Sequence, residues 1–339
     1  MEAVRIEAGI YEAVGTEDSV PIAGPVALPL PVWPVVLDLP ALPSGEGTEA
    51  PWVAATAEPW PGDVAVHSSR DGATWRFDTL LSRRAVMGQT LTELHKAQAG
   101  LWDRGPGLEV RLVHGAISSV DDATVFAGGN TAVILDQDGT AEVFQFRDAE
   151  LIGPETWSLC MRLRGLFGTE AAMPDVWPAG ATLIVLDQSL VQVPLASGLL
   201  EGPRIYRIGP ASKPVDHSSY VEISHQASGL ALKPYRPAHL RAERQSDGAI
   251  SVNWIRQTRV DGGNWVLSDV PLGEAYEAYR VRVLAGAALR REVSVTETNW
   301  TYSIADQAAD GVGSSFTIEV VQISDRAGPG HSARIEING

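Results

Sequence analysis

Cysteine occurs once in the 339 residues, at Cys160. A single thiol excludes internal disulfides and any multi-thiolate metal site, and leaves the redox compartment open. Lysine is nearly as scarce. Only Lys96, Lys213 and Lys233 are present, so 23 of the 26 cationic residues are arginines, whose planar fork suits fixed ion pairs better than a flexible ammonium does. No apolar run approaches the roughly 20 residues that a membrane helix requires. The opening MEAVRIEAGIYEAV lacks a basic segment followed by an apolar one, so nothing in it directs secretion or insertion. Basic surplus is missing too. The formal charge is −16, with 15 basic against 29 acidic residues up to Tyr235 and 11 against 13 beyond it. Such a field repels nucleic acid backbones and anionic membranes and favours solubility. There is no GxSxG, no P-loop and no HExxH, and the seven histidines never fall at metal-ligand spacing on a credible element.

What is abundant points to β-structure. With 33 Gly, 22 Pro and 45% hydrophobic residues the chain is globular and rich in turns, which favours short strands and more than one domain. Residues 3–14 alternate Val4, Ile6 and Tyr11 with Arg5, Glu7 and Glu12, the pattern of a strand. The proline-dense segment that follows, through Pro43, reads as an extended arm, because each Pro removes a donor and restricts its predecessor. Asp71-Gly72, Asp138-Gly139 and Asp247-Gly248 each sit between apolar alternations and predict hairpins. One helix is predicted, over TLTELHKAQAGLW, with a capping box from Thr90 to Glu93 and Gly100 closing it. In TWSLCMRLRG, Trp157, Leu159, Met161 and Leu163 fall on one face, and Ser158, Cys160, Arg162 and Arg164 on the other. A period of two predicts a strand whose outer face carries both arginines. Trp33-Pro34, Trp60-Pro61 and Trp177-Pro178 suggest a repeated way of opening strands, hence two related β lobes. Lys233-Pro234-Tyr235-Arg236-Pro237 reads as a linker to a final β-sandwich.

Candidate chemistry is thin. DQDGT at 136–140 resembles the start of a calcium loop but lacks the later ligands and the closing Glu, so a hairpin turn explains it better. Asp216, His217, Ser218 and Ser219 include the residue types of a catalytic triad, yet sequence neighbours cannot adopt that geometry with one another. A glycosidase needs only two suitably spaced carboxylates, which this acidic chain has in number. Asn299-Trp300-Thr301 matches a glycosylation triplet short enough to arise by chance.

The ordered stretches EPWPGDVAVHSS, LWDRGPGLEVRL, GGNTAVIL, EVFQFRDAELIGPETWSLCMRLRGLFGTE and PAGATLIVLD closely resemble the C-terminal part of the large tail-tip, or host-specificity, protein of gene transfer agents and related siphophages. The resemblance covers about residues 50–235, with Arg164-Gly165 and Gly168-Thr169-Glu170 matching the family's closely spaced Arg-Gly and Gly-Thr-Glu. Residues 236–339 resemble a fibronectin type III domain, with Trp254 and Tyr279 in core positions and Phe316 where a Tyr usually stands. The larger relatives carry an upstream barrel similar to glycoside hydrolases, which has no counterpart here. The resemblance implies an all-β, multi-domain chain of hub-like lobes followed by a fibronectin type III-like sandwich. The expected divisions are a strand and arm over 1–50, one lobe with a short helix over 51–150, a second over 151–235, and the sandwich over 236–339. It implies a virion structural role at the tail tip, in a homotrimer that contacts a hub, a distal tail protein and a central fibre, and contributes to attachment to a host receptor or glycan. No catalytic residue, cofactor or metal is expected. The residues expected to make contacts are Arg162, Arg164, Trp265 and Trp300. The alternative is a carbohydrate-binding or wall-degrading tail module, in which an exposed Trp265 and Trp300 would stack on sugar rings.

Overall fold

The computed structural model describes residues 31–42, 48–194, 200–260 and 271–338. The strand expected over 3–14 and most of the arm lie outside these residues. The last part of the arm is itself a strand, β1 (Trp33–Leu37), which pairs antiparallel with β2 (Trp52–Thr56). Pro34 is tolerated there because β1 lies at the edge of its sheet and needs no donor on its outer side. The chain continues through β3 (Val64–Ser69) and β4 (Arg76–Leu81), joined across Asp71-Gly72. Asp71 Oδ1 accepts from the backbone N–H groups of Ala73 and Thr74 at 2.9 and 2.8 Å, which fixes that turn locally.

Next comes a closed barrel. Its strands are β5 (Met87–Thr90), β8 (Leu108–Leu112), β9 (Thr131–Leu135), β10 (Ala141–Gly153), β11 (Thr156–Leu166) and β13 (Thr182–Val185). They pair antiparallel in the order β9, β13, β5, β8, β11, β10, and β10 pairs back to β9 to complete the ring. Closure removes the edges that an open sheet would leave unpaired. Short strands β6 (Leu94–His95) and β12 (Val176–Trp177) pair beside it, and β7 (Trp102–Asp103) continues the ladder on β11 beyond β8. Leu108, Val110, Leu112, Ile134, Phe144, Trp157, Leu159 and Leu183 pack together as its core. A short helix, α1 (Asp122–Phe126), is capped by Asp121, whose side chain accepts from Thr124 N at 2.8 Å.

After the barrel, β14 (Val191–Gln192), β15 (Arg204–Pro210) and β16 (Val221–His225) return to the first unit. They complete two sheets, β1-β2-β14 and β16-β15-β3-β4, which bury Val36, Val53, Val64, Val66, Leu81, Tyr206 and Ile208 between them. The barrel is therefore inserted into a two-sheet unit. The expected boundary after residue 150 is corrected, since it would cut β10 and split the ring. Hairpin signals report sequence neighbours, whereas the pairings of β13 with β5 and β9, of β8 with β11, of β14 with β2 and of β15 with β3 are long-range.

The expected helix is also corrected. Within TLTELHKAQAGLW the chain ends β5 and forms β6. Thr90 N–H donates to Ala181 O at 2.9 Å and its hydroxyl to Pro178 O at 3.1 Å, while Leu91 N–H donates to Glu109 O at 2.7 Å. These backbone donors are committed to other strands, and such tertiary pairing overrides a capping pattern. The Trp-Pro pairs do not share a role either. Trp33 opens β1, Trp60 lies in the approach to β3, and Trp177 is fully buried in the barrel.

The C-terminal sandwich comprises β17 (Ala238–Arg244), β18 (Ile250–Ile255), β19 (Tyr279–Ala285), β20 (Ala288–Val295), β21 (Asn299–Tyr302), β22 (Ser315–Ser324) and β23 (Gly328–Asn338), with helix α2 (Ile304–Asp310) before β22. Three strands, β17-β18-β21, face four, β20-β19-β22-β23. Trp254, Tyr279, Tyr302 and Phe316 are buried among them, and Tyr302 instead of residue 316 carries the buried hydroxyl, donating to Asp310 Oδ2 at 2.6 Å. The linker is held on both sides. A Cβ on Gly168 would lie 2.6 Å from the Tyr235 ring, and one on Gly330 would lie 2.4 Å from Pro234 O. His331 N–H donates to Pro234 O at 3.1 Å, and Arg236 approaches Glu170 at 3.6 Å.

Candidate functional site

The sequence singles out β11, and the structure turns its second half over. Trp157 and Leu159 point into the barrel as alternation demands, but Met161 has φ +50 and the ladder to β10 skips the Arg147–Met161 position. A non-glycine residue in this region is uncommon, and in a strand it reverses which residues face inward. Arg162 and Arg164 therefore enter the interior, at 1% and 0% exposure, and the expected solvent-facing arginine pair is corrected.

Arg164 meets Glu142 of β10 in a two-pronged pair, Nε to Oε1 at 2.6 Å and Nη2 to Oε2 at 2.7 Å. Glu142 also accepts from Gly165 N at 3.0 Å and Trp177 Nε1 at 2.6 Å, so both of its oxygens are satisfied. The remaining Arg164 nitrogen donates to His95 O at 3.0 Å and reaches Asp103 Oδ2 at 3.4 Å. Arg162 donates to the same Asp103 oxygen from Nε at 3.0 Å, and from Nη1 to Leu159 O at 2.6 Å. Burial pushes the Asp103 carboxyl up, but the Gly105 amide and then the two guanidinium groups outweigh it and hold it below the usual carboxylate range. Two arginines and two carboxylates thus balance in charge. They tie β6, β7, β10, β11 and β12 together, and buried pairs of this kind hold only when every donor and acceptor is used.

The Gly-Thr-Glu residues belong to the same framework. Gly165 and Gly168 adopt φ +63 and +83. Thr169 Oγ1 accepts from Val143 N at 3.0 Å and donates to Leu166 O at 2.7 Å. This motif is scaffold, and it leads straight to the linker contact of Glu170 with Arg236.

Outside the cluster the barrel presents apolar surface. Asp103 anchors β7, whose Trp102 lies against Phe126 with ring centroids 5.8 Å apart, and Phe126 and Leu101 are 68% and 57% exposed. At the β10–β11 hairpin tip, Leu151 and Ile152 are also exposed. Neither patch was read from the sequence. An apolar residue in a strand signals burial by default, and only the completed ring shows which positions are left outside.

Trp300 is half-buried in the sandwich, stacked on the fully buried Tyr302 at 5.2 Å and 24°. Trp265 lies outside the described residues. His217 Nδ1 accepts from Ser219 N at 3.1 Å and lies 2.8 Å from its hydroxyl, a contact that closes a local turn. Asp136 Oδ1 accepts from the backbone of Asp138 and Thr140, as a hairpin turn requires. Among the described residues no group of three or more His, Cys, Asp or Glu side chains is arranged to hold a metal ion.

The architecture is that of an all-β, multi-domain protein with a closed barrel inserted in a two-sheet unit and a seven-stranded sandwich after it. Residues 85–184 match the family described as Rcc01698-like, C-terminal, and these bounds enclose the barrel strands almost residue for residue. No curated protein matches the chain. Among solved structures, the chicken CNTN1 FN1-FN3 domains overlap 92% of this chain and all of theirs, at 11% identity and a TM-score of 0.21. Domains d3-d4 of the rat CD45 extracellular region overlap 35% of this chain and 56% of their own length, at 12% identity and a TM-score of 0.22.

Proposed function

We propose that the chain is a structural component of the tail tip of a gene transfer agent or related phage-like particle. The observation that carries this reading is the coincidence of the Rcc01698-like match with one closed structural unit, the barrel. A match confined to a complete fold reports a whole module kept as such. The ordered resemblance over residues 50–235 supports the same context, and the satisfied interior cluster with apolar patches outside suits a rigid assembly part. In this reading the barrel and two-sheet unit form part of a homotrimeric hub, the apolar patches meet other tail-tip proteins, and the sandwich faces the host or a fibre. The chain needs no cofactor for this work and acts without catalysis, in the virion.

Immunogold labelling of purified particles tests the reading: label is expected at the tail end, in three copies per particle by quantitative mass spectrometry. Label on the capsid, or no chain in particles, sinks it. Replacing Leu151 and Ile152 with Asp is expected to leave the isolated chain folded, since exposed changes usually stay within about 0.5 kcal/mol, and to lower its incorporation.

A further inference from the structure

Two apolar patches of the barrel face solvent at separate places. At the first, Leu101 and Phe126 are 57% and 68% exposed, and the Trp102 ring lies 5.8 Å from that of Phe126. At the second, Leu151 and Ile152 are 63% and 45% exposed, in a hairpin whose turn between β10 and β11 holds only Pro154 and Glu155. Clustered aromatic and branched side chains in water mark a surface that another molecule covers. Neither patch covers the other within one chain. Trp102 pairs with Leu163 and Leu151 with Trp157, so the patches sit at different levels of β11, roughly 20 Å apart at about 3.3 Å per residue, and the closed ring holds both in place.

The charges beside the patches are complementary. Around the first, the acidic groups are already engaged: Asp103 pairs with Arg162 and Arg164, Asp122 meets Arg147 at 3.2 Å, and Asp121 caps α1. Arg104, exposed and next in the chain after β7, makes no ion pair among the described residues. Beside the second, Glu150 and Glu155 are exposed and likewise unpaired among the described residues. A free cation therefore borders one patch, and two free carboxylates border the other. Opposite charges of this kind steer unlike patches together and fix their register, whereas like patches would meet with like charges facing.

We infer that the hairpin tip of one copy, Leu151 and Ile152, docks on Leu101, Trp102 and Phe126 of a second copy, whose Arg104 meets Glu150 and Glu155 of the first. This contact rests on the homotrimeric hub proposed above and supplies its interface. Because the two patches differ, each copy gives one and receives one, and a three-fold rotation closes the ring with no patch left over. Aromatic anchors at the centre and charges at the rim give such an interface both grip and register.

The test uses the full chain with Cys160→Ser in two single-cysteine forms, Pro154→Cys at the tip and Ala127→Cys beside Phe126, both at exposed positions. Equal amounts are mixed, joined with a short bis-maleimide and read by mass. Tip-to-patch joining is expected to run about tenfold faster than joining of Pro154→Cys to a control chain with Leu289→Cys on β20, to fall to the control rate when Arg104→Glu is added to the Ala127→Cys chain, and to recover when Glu150→Arg and Glu155→Arg are added to the other. Either form alone is expected to join no faster than the control. A chain carrying both cysteines is expected to give products that stop at three copies. Dominant tip-to-tip or patch-to-patch products, joining at the control rate, indifference to Arg104→Glu, no recovery with the reversed charges, or products that stop at two copies or run past three overturn the inference. The reaction is run on purified chain without particles. Failure here with label at the tail end removes this contact alone, and success here with label absent from tails removes the tail-tip reading alone.

Discussion

Arg164 and Glu142 face each other inside the barrel as a bidentate ion pair with neither side chain exposed to solvent, and Trp177 and Gly165 use the remaining acceptor capacity of the carboxylate. Removing one partner strands the other. Arg164→Met is expected to destabilise the barrel by about 3–5 kcal/mol, because it leaves the buried Glu142 carboxyl without its charge partner. Replacing both residues with Leu is expected to cost markedly less than Arg164→Met alone. Chemical denaturation of the two variants checks this, and equal losses would show that the pair contributes net attraction and not mutual neutralisation.

The strand content and the three Asp-Gly hairpins were legible because each rests on local alternation and turn chemistry. Arg162 and Arg164 were misplaced because alternation assumes an uninterrupted strand, and a single residue, Met161, breaks it with a backbone conformation that its side chain does not advertise. The helix over Thr90 to Gly100 failed for a related reason: its capping residues are real polar groups, but Thr90 spends its hydrogen bonds on Ala181 and Pro178, some ninety residues away. Glu142 gave no warning of its role. It sits in AEVFQF like any polar residue of a hairpin, and only the closure of β10 onto β11 brings Arg164 to it.

Gly168 controls how the sandwich meets the barrel. It combines φ +83 with the Tyr235 ring against the place a Cβ would take. Gly168→Ala is expected to cost on the order of 1–3 kcal/mol and to displace Tyr235. Limited proteolysis within residues 233–237 is the measurement; cleavage at the rate of the unaltered chain would refute a close-packed linker.

Trp254 anchors the sandwich, edge-on to Tyr279 with centroids 5.2 Å apart. Trp254→Ala is expected to cost about 3–5 kcal/mol, a large share of the stability of a domain this size. Residues 236–339 expressed alone are expected to unfold in one cooperative step around this core. An alanine variant that melts at the unmutated temperature would place the core elsewhere.

His331 makes the linker sensitive to acid. It packs on Pro234, and burial first, then the positive charges of Lys233 and Arg236, push its pKa below the ordinary value of 6.5. Protonation is therefore easier in the opened state than in the docked one. The docked state keeps its full stability above about pH 6.5, where both states hold a neutral ring, and loses stability as pH falls from there toward the depressed folded-state value. Below that value the loss levels off, because both states are then protonated. His331→Gln should remove this component while leaving the barrel's own acid response intact. Linker proteolysis followed from pH 7.5 to pH 5 is expected to accelerate in the unaltered chain and to stay flat in His331→Gln across the same interval. Parallel acceleration in both would assign the acid response to groups other than His331.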